Sequence, residues 1–434
     1  MLGAALFFVF FALVFLNVPI AVALGLSSLI GLHLARFSFS MFPSIIYTAI
    51  GKFALLAIPF FILAGIIMEY AGISRRLIRF ASVCVGHMKG GLISVVVIVA
   101  CFFAAISGSG PATVAALGSV LIPAMAKAGY NKAMSTALIS ASGAIGIIIP
   151  PSIAFVVYAS IADVSVGALF SGGVIPGVIV GFAYILAAMF MSRNDESVQR
   201  TPRASVREKW LAFKDAFWGL MTPVIILGGI YGGIFTPTEA AGVAVVYGLI
   251  VGIFIYREIK IRELWRLLVD AAISSGVVMF IVAGASVFAW LLTTTHIASN
   301  ISNAILGFGI NKTFMLLLIN VIFLIAGCFL DANSAFYILI PIMMPIVRTF
   351  NIDPVHFGVF VTVNMAIGLV TPPVGINLYV GCDIAQISVG DVCKKIIPFV
   401  VAGVAALLLI TFIPELTLFL PRVLGAGAGR AVGP

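Results

Sequence analysis

GIIIPPSIAF at residues 146–155 and GLVTPPVGIN at residues 368–377 are two copies of one pattern, a glycine followed by an apolar run and two prolines. Each of four prolines has another proline 222 residues later: Pro123 and Pro345, Pro150 and Pro372, Pro151 and Pro373, Pro176 and Pro398. Gly146 and Gly368 share this offset. Four prolines at one offset indicate an internal repeat of the chain.

A proline pair inside an apolar segment interrupts a helix, because it removes two N–H donors and leaves carbonyls of the preceding turn without partners. Unpaired backbone groups in lipid cost several kcal/mol each, so such a break must face protein or a wet cavity. We therefore expect Pro150, Pro151, Pro372 and Pro373 to mark helix breaks near a solute or ion site.

The composition indicates a membrane protein. Of 434 residues, 62% are hydrophobic and 9% are charged, which leaves too little polar surface for a water-soluble fold. The net charge of +9 comes from basic residues scattered through short loops, and this argues against a nucleic-acid partner. The five cysteines and four histidines show no ligand spacing, so neither a disulfide framework nor a transition-metal site is expected.

Hydropathy predicts nine spans, near residues 5–31, 53–71, 133–162, 168–191, 216–232, 239–256, 267–292, 355–381 and 396–418. The loops on one side of these spans contain 18 of the 24 Lys and Arg residues. By the positive-inside rule this side is cytoplasmic, which predicts a cytoplasmic N-terminus and a periplasmic C-terminus in the bacterial inner membrane. Residues 193–214 are the long polar segment between the two halves.

Two stretches are too long for one span and too short for two. Residues 91–126 contain no charged side chain, and residues 313–347 contain only Asp331. Two spans would leave arms of about 24 Å, short of the roughly 30 Å hydrocarbon core. We therefore expect re-entrant helical hairpins at 91–128 and 313–350, entering from opposite sides. An odd number of spans between them would invert the second repeat.

The predicted fold is an all-α polytopic membrane protein with inverted repeats, each with a re-entrant hairpin and a Pro-Pro interrupted helix. Its expected parts are a scaffold span with a periplasmic connection (1–52), a first repeat (53–192), a linker with connecting spans (193–266), a second repeat (267–420) and a tail (421–434).

Small polar residues gather at the two hairpin tips. The offset of 222 pairs Ser109 with Asp331 and Ser142 with Asn364. Hydroxyl, amide and carboxylate oxygens beside freed carbonyls suit a small alkali cation. A carboxylate at membrane depth is functional by default, which makes Asp331 the strongest candidate. Ser107, Ser109, Ser142, Asn364 and Thr371 are further candidates, although serine in membrane helices often serves close packing.

Strings along most of the chain resemble the large permease subunit of tripartite ATP-independent periplasmic (TRAP) transporters. The matching strings are AIPFFILAGIIMEYAGISRRLIRF (57–80), GHMKGGL (86–92), SGSGPATVAALGSVLIPAMAKAGY (107–130), GIIIPPSIAFVVYA (146–159), LFSGGVIPG (169–177), TPTEAAGVAVVYG (236–248) and GLVTPPVGINLYV (368–380).

The resemblance implies a sodium-coupled secondary transporter of the elevator type for a C4-dicarboxylate, sialic acid or a similar carboxylate. It implies two partners, a periplasmic binding protein and a small membrane subunit, which we expect to be a separate chain. It places Na⁺ at two sets of residues: Ser107, Gly108 and Ser109 with Gly143 and Gly146, and Asp331 and Ser334 with Gly368 and Thr371. Asn377, after the second proline pair, is a candidate close to the solute.

Two other classes of function compete with this hypothesis. One is a stand-alone ion-coupled carboxylate carrier of a related inverted-repeat superfamily, which would need no binding protein. The other is an intramembrane enzyme, for which Ser107–Gly110 lacks a general base. No nucleotide-binding motif occurs, so the energy for transport is expected from ion gradients and no organic cofactor is expected.

Overall fold

The computed structural model of the chain describes residues 2–88, 90–193, 202–307 and 309–425. Within these ranges the regular structure is helical and contains no strand. Nine helical segments of this part are long and apolar enough to cross a bilayer. The prediction of an all-α polytopic membrane protein is therefore confirmed.

The N-terminal region differs from the predicted single span at 5–31. It forms helices α1 (Leu2–Phe15) and α2 (Ile20–Leu34), with α3 (Met41–Ile50) after them. Asn17 lies in the left-handed region, with φ of 63°, and Pro19 precedes α2. The two helices pack against each other, and a Cβ atom added at Gly31 would meet the Leu6 side chain. The chain thus reverses at residues 16–19.

The first predicted hairpin is two helices with a break between them. A 3-10 turn (Phe53–Leu56) leads into α4 (Ala57–Tyr70), which is followed by α5 (Ile73–Val85), α6 (Gly91–Ser107) and α7 (Gly110–Lys127). Arg75, Arg76 and Arg79 are three of the 18 Lys and Arg residues predicted to lie in loops on one side, where they would share one loop with Lys89. This prediction is wrong for the three arginines, because they lie on α5. Lys89, from the same predicted loop, lies outside the described residues.

The predicted span 133–162 is interrupted at the first proline pair. It consists of α8 (Lys132–Ala144), a 3-10 turn (Ile145–Ile147) and α9 (Ile153–Ala162). The Asn131 side chain caps α8 by accepting a hydrogen bond from the Met134 amide, 3.1 Å away. The long helix α10 (Val166–Met191) ends the first half.

The connecting region contains three long helices and one short one: α11 (Val206–Tyr231), α12 (Pro237–Ile250, continued by a π-helix at Val251–Ile255), α13 (Leu264–Thr294, after a 3-10 turn at Ile261–Glu263) and α14 (Ile297–Leu306). Helix α11 begins earlier than the predicted span at 216–232, because Ser205 and Glu208 form a capping box at its start. Residues 194–201 of the predicted linker and 426–434 of the predicted tail lie outside the described residues.

The second half contains the second predicted hairpin and the second proline pair. Its helices are α15 (Lys312–Phe329), α16 (Ala332–Thr349), α17 (Pro354–Gly368), α18 (Ile376–Ala385), α19 (Val389–Phe412) and α20 (Glu415–Val423). The predicted hairpin at 313–350 corresponds to α15 and α16, and the predicted span at 355–381 is interrupted between α17 and α18.

The hairpin of each half packs against a helix of the other half. The second arm of the first hairpin, α7, packs against α18, and the second arm of the other hairpin, α16, packs against α9. Around them α2 packs against α13, α12 against α4, and α10 against α19. Each hairpin therefore contacts the helix that follows the proline pair of the opposite half, and this brings the two tips close together.

Candidate functional site

The first tip is held against the proline pair of its own half. Helix α6 ends at Ser107, and Gly108 turns the chain with φ of 61°, a conformation that favours glycine. The Gly108 carbonyl accepts a hydrogen bond from the Ile153 amide at 3.3 Å. A Cβ atom at Gly108 would lie 2.7 Å from the Pro151 carbonyl oxygen, so the close approach needs glycine as well.

Inside the first tip, a hydroxyl of α7 holds the turn together. Thr113 Oγ1 donates to the Ser109 carbonyl at 2.7 Å and lies 2.9 Å from Ser107 Oγ. A Cβ atom at Gly146 would lie 2.7 Å from Thr113 Oγ1 and 2.8 Å from the Ser109 carbonyl oxygen. The C-terminal end of α8 and the turn that follows it thus approach the tip through backbone at Gly146.

Gly143 and Ser142 lie one turn earlier in the same region. A Cβ atom at Gly143 would lie 3.2 Å from the Val114 amide nitrogen and 3.3 Å from the Gly110 carbonyl oxygen. Ser142 is buried, and its hydroxyl has no hydrogen-bond partner within the described part of the chain. The first predicted group of residues therefore comes together around the tip.

The second tip is closed by its carboxylate. Asp331 is the N-cap residue of α16, the position that Ser109 has in α7. Its Oδ2 accepts hydrogen bonds from the Asn333 amide at 2.9 Å and the Ser334 amide at 3.3 Å, and its Oδ1 accepts one from the Ser334 hydroxyl. Asp331 thus satisfies amides that a helix N-terminus leaves unpaired.

The second tip also meets the proline pair of its own half. The Gly375 amide, two residues after Pro373, donates to the Cys328 carbonyl at 3.4 Å, as the Ile153 amide, two residues after Pro151, does to Gly108. Gly368 and Gly327 touch through their backbones, since a Cβ atom at Gly368 would lie 2.5 Å from the Gly327 Cα atom. The proline loop and the first arm are therefore in direct contact.

Asn364 and Thr371 bind groups other than Asp331. The Asn364 amide nitrogen donates to Asn320 Oδ1 on α15 at 2.6 Å, and Asn320 Nδ2 in turn donates to Thr411 Oγ1 at 3.2 Å. The Thr371 hydroxyl donates to the Ile367 carbonyl of its own helix at 2.7 Å. Thus Asn364 joins α17 to the hairpin arm and not to the tip.

Both tips line one cavity, which we call the tip cavity. It has a volume of about 190 Å³. Its polar side chains are Ser109, Asp331 and Asn333, and Val278 and Ile281 of α13 form an apolar wall. Polar groups of both tips thus line one shared cavity, which makes it the candidate site.

The sequence of residues 7–416 matches the family described as "Tripartite ATP-independent periplasmic transporter, DctM component". The chain belongs to this family. It is 43% identical over 374 residues to a C4-dicarboxylate TRAP transporter large permease protein DctM of Pseudomonas aeruginosa, with 86% of the chain and 87% of that protein covered.

A second relative of this DctM-family permease is the isethionate TRAP transporter permease protein DctMQ of Oleidesulfovibrio alaskensis. The identity is 43% over 419 residues, which are 95% of the chain but only 65% of that longer protein. Among solved structures, the YdaH transporter of Alcanivorax borkumensis shares the fold, with a TM-score of 0.66 at 14% identity and coverage of 92% and 90% of the two chains.

In the permease, Asn377 reaches the first tip from the opposite half. Its Nδ2 donates to the Ser140 carbonyl of α8 at 3.4 Å. A Cβ atom at Gly110 would lie 3.1 Å from Asn377 Oδ1. Asn377 is fully buried, so its contacts with α7 and α8 explain why an amide follows the second proline pair.

Glu69, near the end of α4, was not among the predicted site residues. It lines a second cavity of about 170 Å³ with Ser107 and Ser109 of the first tip and with Ser274 of α13. This cavity shares Ser109 and Val278 with the tip cavity. In the permease, the cavity that Glu69 lines therefore adjoins the tip cavity at the first tip.

Several oxygens near the tips of the permease are buried without partners. Within the described part of the chain these include Ser142 Oγ, Asn333 Oδ1, Asn364 Oδ1 and Asn377 Oδ1. Buried polar atoms normally have a hydrogen-bond partner. A buried polar atom without one requires an explanation, such as a bound ion or a water. Ser142 and Asn364 are the two positions that the 222-residue offset pairs. Together with the tip carbonyls and Asp331, these are oxygen ligands of the kind that hard cations prefer.

Proposed function

We propose that this TRAP permease couples the entry of Na⁺ to the uptake of a carboxylate-bearing solute. The observation that carries the proposal is the tip cavity, where the Asp331 carboxylate and the first tip meet beside unpartnered oxygens. Each charge that crosses 100 mV contributes about 2.3 kcal/mol, which is sufficient to drive accumulation. Relatives are named for isethionate and C4-dicarboxylates, which are organic anions.

The cation sites follow from the two groups of residues. In the first, the tip residues Ser107, Gly108 and Ser109 would act with Ser142, Gly143 and Gly146. In the second, Asp331 and Ser334 would act with Asn364, Gly368 and Thr371. Cations at both sites would order the tips, the solute would bind between them, and the hairpin core would move against the outer helices in an elevator mechanism.

The proposed assembly contains a periplasmic binding protein that delivers the solute and a small membrane subunit. We place the side with the basic loops in the cytoplasm. The N-terminus then lies on the opposite side, because α1 and α2 reverse the chain and leave residues 2 and 35 on one side. This revises the cytoplasmic N-terminus that a single span at 5–31 predicted. We continue to propose a periplasmic C-terminus, as the distribution of basic residues predicts.

The test is uptake of succinate into proteoliposomes that contain the permease and its small subunit. We expect succinate-loaded binding protein and an inward Na⁺ gradient both to be required. Asp331→Asn removes the charge that would balance the cation, and we expect accumulation to fall by at least about tenfold, an equilibrium change of roughly 1.4 kcal/mol. Asp383→Asn, at the exposed end of α18, serves as the matched control and should retain uptake.

Two outcomes would contradict this proposal. If Asp331→Asn and Ser109→Ala both keep full sodium-dependent uptake, the cation sites lie elsewhere. If uptake proceeds equally without the binding protein, the chain is a stand-alone carrier. A panel of other organic acids, loaded on the same binding protein, then identifies the solute.

A further inference from the structure

A larger cavity lies apart from the tips. It has a volume of about 770 Å³ and is bounded by α3 and α13 on one side and by α9 and α16 on the other. We call it the outer cavity; the residues that matter for its chemistry are Lys52, Asp163, Trp290, Thr294, Tyr337 and Arg348. It shares no lining residue with the tip cavity.

The outer cavity concentrates positive charge on a side of the molecule that has little of it. Six of the 24 Lys and Arg residues are not among the 18 that the sequence places on the basic side, and two of these six, Lys52 and Arg348, line this cavity. Asp163 is the acid on its wall. Neither cation pairs with a carboxylate among residues 2–88, 90–193, 202–307 and 309–425. Both charges therefore remain available to a ligand.

Four hydroxyl groups on the wall have no proton left to offer an anion. Each donates to a carbonyl three or four residues earlier in its own helix: Thr48, Ser160, Ser286 and Thr293. A hydroxyl has one proton to donate, so these four present only acceptor oxygens to the cavity. A carboxylate needs donors, and the Lys52 ammonium and the Arg348 guanidinium supply charged ones.

Helix α16 connects the outer cavity with the tip cavity. Its first residues, Ala332 and Asn333, line the tip cavity, whereas Tyr337 and Arg348 line the outer cavity. At 1.5 Å per residue, Asn333 and Arg348 are about 22 Å apart along the helix axis. The outer cavity thus lies beside the second hairpin, between its tip and its far end.

We propose that the outer cavity is a receiving site for an organic anion, in which Lys52 and Arg348 bind the carboxylate before the solute reaches the tips. Trp290 offers the carbon skeleton an apolar face. The class of solute rests on the proposed function, whereas the charge preference of the cavity can be measured without transport.

A simpler role for both cations is helix capping. Lys52 Nζ donates to the Ser160 carbonyl near the end of α9 at 2.9 Å, and Arg348 lies in the last turn of α16, where a positive charge is favourable. Capping predicts a loss of stability on substitution but no preference of the cavity for anions. The two roles therefore give different results in a charge-selective assay.

The first experiment measures the reaction of a cysteine in the outer cavity with charged thiol reagents. Thr294→Cys is reacted with an anionic and with a cationic methanethiosulfonate, and the chain without this cysteine gives the background. Relative to an exposed Ser38→Cys reference, we expect the anionic reagent to react about 3- to 10-fold faster at Thr294→Cys, as local charge enrichment predicts.

Substitution of the cations should abolish this preference. With Lys52→Gln and Arg348→Gln together, the ratio of the two rates at Thr294→Cys should approach that of the Ser38→Cys reference. Lys312→Gln is the matched control, because Lys312 is a cation outside this cavity whose Nζ donates to the Asn351 carbonyl at 3.5 Å. Equal ratios at both cysteines in the otherwise unchanged chain would overturn the proposal.

Uptake of succinate separates this inference from the proposed function. Lys52→Gln and Arg348→Gln should each raise the half-saturating concentration of succinate-loaded binding protein several-fold and leave the maximal rate nearly unchanged. Sodium-independent uptake with an intact anion preference would contradict the proposed function alone. Normal sodium-dependent uptake with unchanged saturation in both variants would contradict the receiving site alone.

Discussion

At the scale of single residues, the site depends on glycines that let backbone meet backbone. Gly146 faces the first tip so closely that an added methyl group would lie 2.8 Å from the Ser109 carbonyl oxygen and 2.7 Å from Thr113 Oγ1. Both of these atoms belong to the hydrogen bond that closes the tip. The geometry of the tip carbonyl is therefore set by the absence of a side chain at this position.

Gly146→Ala should displace the first tip. Insertion of a methyl group into a packed site costs about 1–3 kcal/mol, so we expect a lower unfolding temperature and a loss of any stabilisation by Na⁺. The measurement is the thermal unfolding midpoint of the purified permease in Na⁺ and in choline buffer. Gly242→Ala is the control, since an added Cβ atom there meets nothing within 4 Å. An unchanged sodium response of Gly146→Ala would show that the tip tolerates the displacement.

The sequence identified the residues of both tips but not their partners. Asp331 and Ser109 could be predicted, because polar groups in an otherwise apolar stretch are conspicuous. Thr113 and Asn320 were missed, since one hydroxyl or amide on an apolar helix gives no sign of which neighbour it will meet. The 222-residue offset pairs equivalent positions, so it cannot show that Asn377 contacts the opposite half. Glu69 was not predicted either, because the cavity that it lines is formed by helices distant in sequence.

At the scale of elements, α5 is fixed to the connecting helices by one arginine. Arg76 Nε donates to Asp215 Oδ1 at 3.1 Å and a terminal nitrogen donates to Glu258 Oε1 at 3.0 Å. Another terminal nitrogen donates to the Ala71 carbonyl at the end of α4 at 3.1 Å. The guanidinium also lies 3.9 Å from the centre of the Tyr256 ring. Arg76 thus ties the joint between α4 and α5 to α11 and to the segment after α12.

Arg76→Gln should loosen this joint. Hydrogen bonds to charged groups contribute about 1.5–3 kcal/mol, and the Arg76 side chain is only 17% exposed, so we expect a clear drop in the unfolding midpoint. Arg79→Gln is the control, because its side chain is 66% exposed and its contact with Asp215 is 3.8 Å long. Equal midpoints for the two variants would mean that the cluster does not stabilise the joint.

The helical hairpins could be predicted from the sequence, whereas the reversal at residues 16–19 could not. The stretches at 91–126 and 313–347 have a length that fits neither one span nor two, and this arithmetic locates the breaks. Residues 5–31 have the length of one long span, so their length did not indicate a reversal of the chain. Asn17 and Pro19 were the available turn signal. Helix α5 was not predicted, because the low hydropathy of its basic residues is also typical of a loop.

At the scale of the whole molecule, the reversal between α1 and α2 determines on which side the N-terminus lies. Both helices are shorter than the hydrocarbon core is thick, yet whether they cross it or only enter it, their outer ends lie on the same side. Residue 2 and residue 38 therefore share a side. The basic start of α11 lies on the opposite one if the positive-inside rule holds.

Labelling with a membrane-impermeant maleimide tests this arrangement. With the five native cysteines replaced, Leu2→Cys and Ser38→Cys should both be labelled in intact spheroplasts. Lys209→Cys, near the start of α11, should be labelled only after the membrane is opened. Labelling of Ser38→Cys without Leu2→Cys would show that residues 2–34 cross the membrane once.

The contact between Gly327 and Gly368 has a mechanical consequence. Two helices that touch through their backbones have no side chains between them whose rotamers could absorb a displacement. If the hairpin core moves as proposed, the first arm of the second hairpin and the helix before the second proline pair are expected to shift together. Ligand oxygens on both would keep their mutual distances during such a shift, and a cation between them would travel with its coordination shell intact.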